Sequence, residues 1–377
     1  MRVAIVVPGG VDASGEDRVI PALVWLIERL ARRHDVHVFA MQQESEPAQW
    51  ELRGAHVENI GTGGFRRLRF LSRLAVAHRA APFDVVHAFF GGVGALASIA
   101  ALRHQLPFVL HLAGGEPVAI DALGYGSRLS LRGRIGLRVA VAGARRVTVA
   151  THFMRTLVGK LGIDAEVVPL GVAVDRWPVR QPRPRHANGT ARLLHIGDLR
   201  PVKAQDVLLD AVVMLVRQGV DVHLDIAGFD TMNGKLQRSA AAIELGDRVR
   251  FHGLLRRDAL RRLVLENDLL LHTSMHEAGP LCVLEAAVAG VPTVGTNVGQ
   301  VCDWAPDAAV GIPVGDADAM ARSVASLLSD EPRRIRLARE AQARAIRQDA
   351  DFTAAEFERI YGEVTSVRRK TSSAARP

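Results

Sequence analysis

Glu277 and Glu285, with seven residues between them, lie in the segment HTSMHEAGPLCVLEAAVAGVPTVGTNVGQ, residues 272–300. The apolar run LLLHTS reads as a buried strand that ends at a loop holding Glu277, Gly279 and Pro280. A helix is expected from about Leu281, with Glu285 in its first turn. A carboxylate in such a loop can accept hydrogen bonds from sugar hydroxyls. One in a helix's first turn is favoured by the dipole and can hold a ribose diol. The backbone N–H groups around Gly279 and Leu281 would face outward, towards hydroxyl or phosphate oxygens.

Cations for a phosphorylated ligand come from LLHIGDLRPVKAQDVLLDA, residues 193–211, read as a strand, a loop and a helix. Lys203 falls where that helix begins, a place where a cation opposes the dipole unless an anion sits nearby. The planar fork of Arg200 suits diphosphate oxygens. Near the N-terminus, Gly9 and Gly10 follow the first apolar run and precede a helix, either to let the backbone approach a ligand or to make a tight turn. His111, in LPFVLHLAGGEP (106–117), has two open readings, a cleft-facing group or a hydrogen-bonded core histidine.

Taken together these segments resemble the family 4 glycosyltransferases. The resemblance rests most specifically on Ser274, Glu277, Glu285, Ala286, Ala289, Gly290, Val291 and Pro292, and on Gly197 and Lys203 in the loop of 193–211. It implies a retaining transfer on a GT-B fold, with Glu277 on the donor sugar, Glu285 on the ribose, and Lys203 on the diphosphate. Several positions depart from the family pattern. Asp198 stands where an arginine is usual, leaving Arg200 as the substitute; Ala113 replaces a histidine before Gly114; Leu170 and Ala173 replace polar residues in VVPLGVAVDRWPV. In TNVGQVCDW, Gly299 is kept, Gln300 takes the place of a second glycine, and Asp303 that of the acid. Gly9 and Gly10 correspond to the loop that faces diphosphate and acceptor.

The elements that must position these residues follow a parallel α/β rhythm. Strands are expected near 2–7, 36–41, 55–60, 84–90, 107–112, 146–150 and 165–169, then near 192–196, 221–227, 248–253, 268–273 and 291–296, with helices between most of them. The fold class is therefore α/β, with two tandem Rossmann-like doubly wound domains facing across a cleft. Their expected extents are 1–172 and 191–349, joined by a Pro- and Arg-rich linker at 173–190. An amphipathic helix over 350–366 is expected to pack back towards the first domain, ahead of a disordered tail, 367–377.

At 377 residues, with 48% hydrophobic and 23% charged residues, the composition suits two globular cores. Cys282 and Cys302 have no zinc-type spacing, so neither a structural metal nor a disulfide framework is expected. No signal peptide or apolar span of membrane length is read, which leads to an expectation of a cytoplasmic protein. A net charge of +8 favours polyanions or phosphorylated substrates. With only 5% aromatics and no basic segment carrying spaced aromatics, nucleic acid is not expected as a partner. The helix pattern of 64–80 places Phe65, Leu68, Leu71 and Leu74 near one stripe among arginines, either core-facing or docked on anionic lipid; Arg128, Arg132, Arg134 and Arg138 add basic surface.

Other motifs fail on spacing. Gly92, Gly94 and Ala97 give a GxGxxA match away from the first strand, better explained by close helix packing. Pro280 stands four residues after His276, which excludes an HExxH zinc motif, and GYGSRLS lacks the order of a nucleophile elbow. The expected function is metal-independent, retaining transfer from a nucleotide-diphosphate sugar to a sugar or lipid-linked hydroxyl acceptor, with no cofactor. A non-catalytic nucleotide-sugar binding protein and a sugar-nucleotide epimerase are the alternatives.

Overall fold

The computed structural model of the chain describes residues 1–185, 189–243 and 245–374, with side chains up to 366. It divides into two units, Met1–Gly171 with Ala350–Pro377, and Val172–Asp349.

The first unit holds an eight-stranded sheet. In chain order its strands are β1 (Arg2–Val7), β2 (Asp35–Ala40), β3 (Ala48–Leu52), β4 (Ala55–Asn59), β5 (Val85–Phe89), β6 (Phe108–Leu112), β7 (Arg146–Val149) and β8 (Glu166–Val167). The spatial order β3-β4-β2-β1-β5-β6-β7-β8 reverses direction between β1 and β5. All pairings are parallel except β3 with β4. The central strands are buried along almost their whole length, as a sheet with helices on both faces requires. β3 was not anticipated. Its sequence AQWEL buries only Leu52, so an antiparallel edge strand leaves no apolar run to read.

The second unit holds β9 (Ala191–Ile196), β10 (Val222–Ala227), β11 (Val249–Gly253), β12 (Leu269–His272), β13 (Thr293–Thr296) and β14 (Val310–Ile312). They lie in the order β11-β10-β9-β12-β13-β14, all parallel. The chain leaves β9 for one side of the sheet and later returns to its other side at β12. Such a reversal is the point beyond whose strand carboxyl ends a doubly wound sheet usually takes its ligand. β14, three residues long, is too short to leave a periodic signal.

The stretch read as a linker, 173–190, is packed onto the second unit at the points described next; 186–188 lie outside the described residues. Trp177 is almost wholly buried, and its Nε1 donates to the carbonyl of Glu285 at 2.8 Å. The Arg180 N–H donates to the Val288 carbonyl, and Gln342 Nε2 returns a bond to the Arg180 carbonyl. One large buried aromatic and a few main-chain hydrogen bonds thus anchor this stretch without any regular element. The final helix is Ala350–Ala374, packed on the helix Pro21–Ala31. Its Phe357, Ile360 and Tyr361 enter the first unit's core, and the side chains of 367–377 lie outside the described residues.

Candidate functional site

Beyond the ends of β9 and β12 the second unit brings Lys203, Ser274 and Glu277 together. Lys203 ends a 3₁₀ turn, Pro201–Lys203, held against the loop after β12 by two hydrogen bonds. Met275 N–H donates to the Val202 carbonyl at 2.8 Å, and Thr273 Oγ1 donates to the Lys203 carbonyl at 2.8 Å. The turn hands over to the helix Gln205–Arg217 through Ala204, a non-glycine residue at φ +46°, a left-handed conformation tolerated because the surrounding bonds fix the loop.

Three groups converge on one oxygen. Lys203 Nζ donates to Glu277 Oε1 at 2.5 Å, Ser274 Oγ donates to it at 2.7 Å, and His272 Nε2 lies 3.4 Å away. None of these contacts uses Oε2. Burial would raise the Glu277 carboxyl, but Lys203 and then His272 outweigh it and hold the group well below the usual carboxylate range. Burial alone would lower the Lys203 ammonium, and Glu277 beside it reverses that and holds it above the ordinary lysine value. The pair is thus ionised, with little exposed surface on either side chain. Gly299, at φ +52°, closes the back of the loop, since a Cβ there would lie 3.0 Å from both Glu277 Cβ and Pro280 Cδ. Gly197 lies beneath Lys203, whose Cε is 3.4 Å from where its Cβ would be.

Gly279 is exposed, Pro280 is the N-cap of the helix Leu281–Val288, and no side chain caps that helix. Glu285 is its fifth residue, so it stands in the second turn rather than the first, and the dipole is not what holds it. Arg257 Nη1 instead donates to Glu285 Oε1 at 3.2 Å. Burial is the largest influence and pushes the Glu285 carboxyl up to about 7, against the opposing pull of Arg257 and Arg261. Cys282, between the two glutamates, is a buried thiol that burial pushes up to about 12, which keeps it protonated and unreactive.

Arg200 does not join this cluster. Its side chain is half exposed and faces Asp198, with Nη2 3.7 Å from Oδ2. The aspartate that stands in the family's arginine position thus pairs with the substitute cation.

In the first unit, Gly10 is required by a turn: it has φ +80°, and a Cβ would meet Ile20 Cγ1 at 2.6 Å. The N–H groups of Gly10 and Val11 both donate to Gln43 Oε1, at 2.7 and 3.0 Å, while a Cβ on Gly9 would lie 3.3 Å from that oxygen. This loop is pinned by a side chain that the sequence reading did not single out. Gly94 bears out the packing explanation, since a Cβ there would lie 2.7 Å from Leu110 Cδ1.

Of the two readings of His111, the structure has the hydrogen-bonded core histidine. It is completely buried on β6, shares a hydrogen bond with Thr148 Oγ1 at 2.9 Å, and packs against Phe89 and Phe357. Burial pushes its imidazole down to about 3, so it is neutral at physiological pH. His111→Ala should therefore cost about 2–4 kcal/mol in a urea melt while turnover of the folded fraction stays within about threefold of wild type. A large loss of turnover at unchanged stability would return it to the site. Close by, buried Glu116 accepts from the N–H groups of Gly91 and Gly114, at 2.9 and 2.7 Å, and fixes the loop after β6. His272, Arg257 and Glu116 went unnoticed in the sequence because their roles depend on partners remote in the chain.

Residues 180–344 match the family model for glycosyl transferases group 1, and residues 19–172 match that for the glycosyl transferase 4-like domain. The chain is 29% identical to a D-inositol 3-phosphate glycosyltransferase of Salinispora tropica, over 96% of this chain and 83% of the relative. Its structure is similar to that of Anabaena HepE in complex with UDP and glucose, with a TM-score of 0.75 at 18% identity over 96% of this chain and 100% of that one. It is also similar to sucrose-phosphate synthase of Thermosynechococcus elongatus, with a TM-score of 0.81 at 15% identity over 97% and 100% of the two chains.

Proposed function

The chain belongs to the family 4 glycosyltransferases, enzymes of the GT-B fold, and on that premise we propose that it moves a sugar from a nucleotide-diphosphate sugar to a hydroxyl acceptor with retention of configuration. The observation that carries this reading is the Lys203–Glu277 pair at the reversal point of the second sheet, with Lys203, Ser274 and His272 all gathered on Oε1 of the carboxylate. Oε2 is left to accept hydrogen bonds from donor-sugar hydroxyls. Lys203 bears on the diphosphate, Arg200 assists from the rim once drawn from Asp198, and Glu285 holds the ribose. The N–H groups at Gly279, Pro280's successor Leu281 and the uncapped helix start add partial positive charge for the same anion.

In the transfer, the acceptor oxygen bonds to the anomeric carbon as the bond from that carbon to the diphosphate oxygen breaks. The acceptor's proton passes to the departing phosphate on the same face. Charge grows on the leaving group, so a preorganised ammonium counts for most in the transition state. No metal is assigned to this step, because Lys203 and the backbone N–H groups already meet the anion. HepE, solved with UDP and glucose, supports a nucleotide-sugar donor. The relatives named D-inositol 3-phosphate glycosyltransferase make a phosphorylated cyclitol the first acceptor to assay, in keeping with the net charge of +8.

Incubation with UDP-, GDP- and ADP-sugars, with and without acceptor, tests the reading. Acceptor-dependent release of nucleoside diphosphate, with the product keeping the donor's anomeric configuration by NMR, is expected. Interconversion of donor sugars without acceptor would make the protein an epimerase, and binding without any turnover would make it a non-catalytic receptor.

Contact with an anionic membrane is part of the proposal. No helix among the described residues is long and apolar enough to cross a membrane. On the helix Leu131–Gly143, however, Leu131, Ile135 and Val139 are exposed at i, i+4 and i+8, beside Arg132, Arg134 and Arg138. Of the stripe read as either core-facing or docked on lipid, Phe65 and Leu68 are exposed as well, whereas Leu74 is buried together with Phe70. A Leu131→Ser, Ile135→Ser variant should lose sedimentation with phosphatidylglycerol vesicles while keeping its melting temperature; equal sedimentation would remove this surface from the proposal.

A further inference from the structure

Three side chains on the first unit's sheet, none of them part of the site above, have the composition of a metal centre. His37 on β2 and His56 on β4 are register partners, and His56 in turn pairs with Glu51 on the edge strand β3. Residues directly opposite across paired strands share a face, so Glu51, His56 and His37 form one row. Glu58, two residues beyond His56 on β4, lies on the same face.

The candidate donor atoms of His37, His56 and Glu58 all lie within 4.8 Å of one another. His37 is more than nine-tenths buried, and its Nε2 faces Glu58 Oε2 at 3.4 Å. That separation is close to the roughly 3.3 Å between two ligand atoms on one tetrahedral ion. His56 Nδ1 lies 3.2 Å from Glu51 Oε1, which turns its Nε2 to the cluster. A carboxylate on the far nitrogen of a histidine is the outer partner that metal-binding imidazoles commonly have. On the other side Arg73 donates to Glu58 Oε1, which leaves Oε2 for the cluster. Among the described residues this is the one group of three such side chains brought within ligating reach.

We infer that His37, His56 and Glu58 form a binding site for a borderline divalent transition ion of the Zn²⁺ type, with Glu51 and Arg73 as outer partners. Two imidazoles and one carboxylate favour such an ion over Mg²⁺ or Ca²⁺, which prefer all-oxygen sets. Tetrahedral bonds of about 2.0–2.1 Å require the donors to close to roughly 3.3 Å apart, a contraction that half-exposed His56 can supply by rotating. Water completes the shell. The ion ties β2 to β4 and, through Glu51, to the edge strand β3. The absence of zinc-type cysteine spacing, which argued against a metal, has no bearing on an imidazole and carboxylate set formed by sheet register.

The test is calorimetric titration of Zn²⁺ into chelator-treated full-length protein, with Mg²⁺ in parallel. One zinc per chain is expected, no comparable Mg²⁺ site, and a rise in melting temperature with zinc. His56→Ala, at the surface, should fold normally and weaken zinc binding by at least about 100-fold, and Glu51→Gln by about tenfold. Bound Co²⁺ should give visible d–d bands without thiolate charge transfer. No zinc heat in the wild type, undiminished binding in His56→Ala, or a thiolate band would each overturn the inference.

Discussion

Replacing Lys203 by alanine should lower turnover by about 10²- to 10³-fold, the loss typical of removing one group that stabilises developing charge. Its ammonium is held by Glu277 at 2.5 Å, within a loop fixed by Thr273 and Met275, so no reorganisation is needed when the diphosphate arrives. The same geometry could serve folding alone. The substitution leaves a little-exposed carboxylate without its cation, and stability must fall to some extent. The two roles separate in the measurement: single-turnover rates on protein shown to be folded by circular dichroism should still fall, and Lys203→Arg should restore stability more fully than rate, because a planar fork cannot occupy a point-charge site equally. Wild-type rates from folded Lys203→Ala would remove the residue from catalysis.

Glu285→Gln should produce the second large effect, with opposite signs for binding and stability. A carboxylate on a ribose diol makes charged hydrogen bonds of about 1.5–3 kcal/mol, so affinity for nucleoside diphosphate should drop about 10- to 100-fold. Because burial pushes this carboxyl up to about 7, the native state binds a proton more tightly than the unfolded chain. Its contribution to stability is therefore full below the ordinary glutamate range, declines as pH rises towards 7, and is gone above it. At pH 8 the glutamine variant should be the more stable protein, by at most about 3 kcal/mol, and near pH 4.5 the two should melt alike. Wild-type affinity should strengthen as pH rises through about 7, and that slope should flatten in the variant. Calorimetry across this range that found unchanged affinity would contradict the ribose role.

The sequence was most legible where one strand end carries one short loop. Lys203, Ser274, Glu277 and Gly299 all follow parallel strands, and the apolar runs that announce β9, β12 and β13 announce their carboxyl ends too. Legibility failed where a role depends on a distant partner. Arg257 reaches Glu285 from another helix, and Glu116 meets Gly91 across the sheet; neither contact has a local pattern. His111 had two readings from alternation alone, and Phe357, supplied from the other end of the chain, decided for the core. The Pro- and Arg-rich stretch read as a linker has no periodic pattern that would announce its packing, which comes from Trp177 and from main-chain bonds of Arg180 to distant partners.

The final helix also bears on how the protein is made. The first unit's core includes Ala354, Phe357, Ile360, Tyr361 and Val364, and Tyr361 Oη lies 2.7 Å from His87 Nδ1. Synthesis runs from the N-terminus, so these residues leave the ribosome only after the whole of Val172–Asp349. The half of the protein that is translated first must therefore be completed last. During that delay an apolar flank of the nascent β-sheet stays bare, an obvious target for chaperones, and a premature stop codon just ahead of Ala350 would leave it bare permanently.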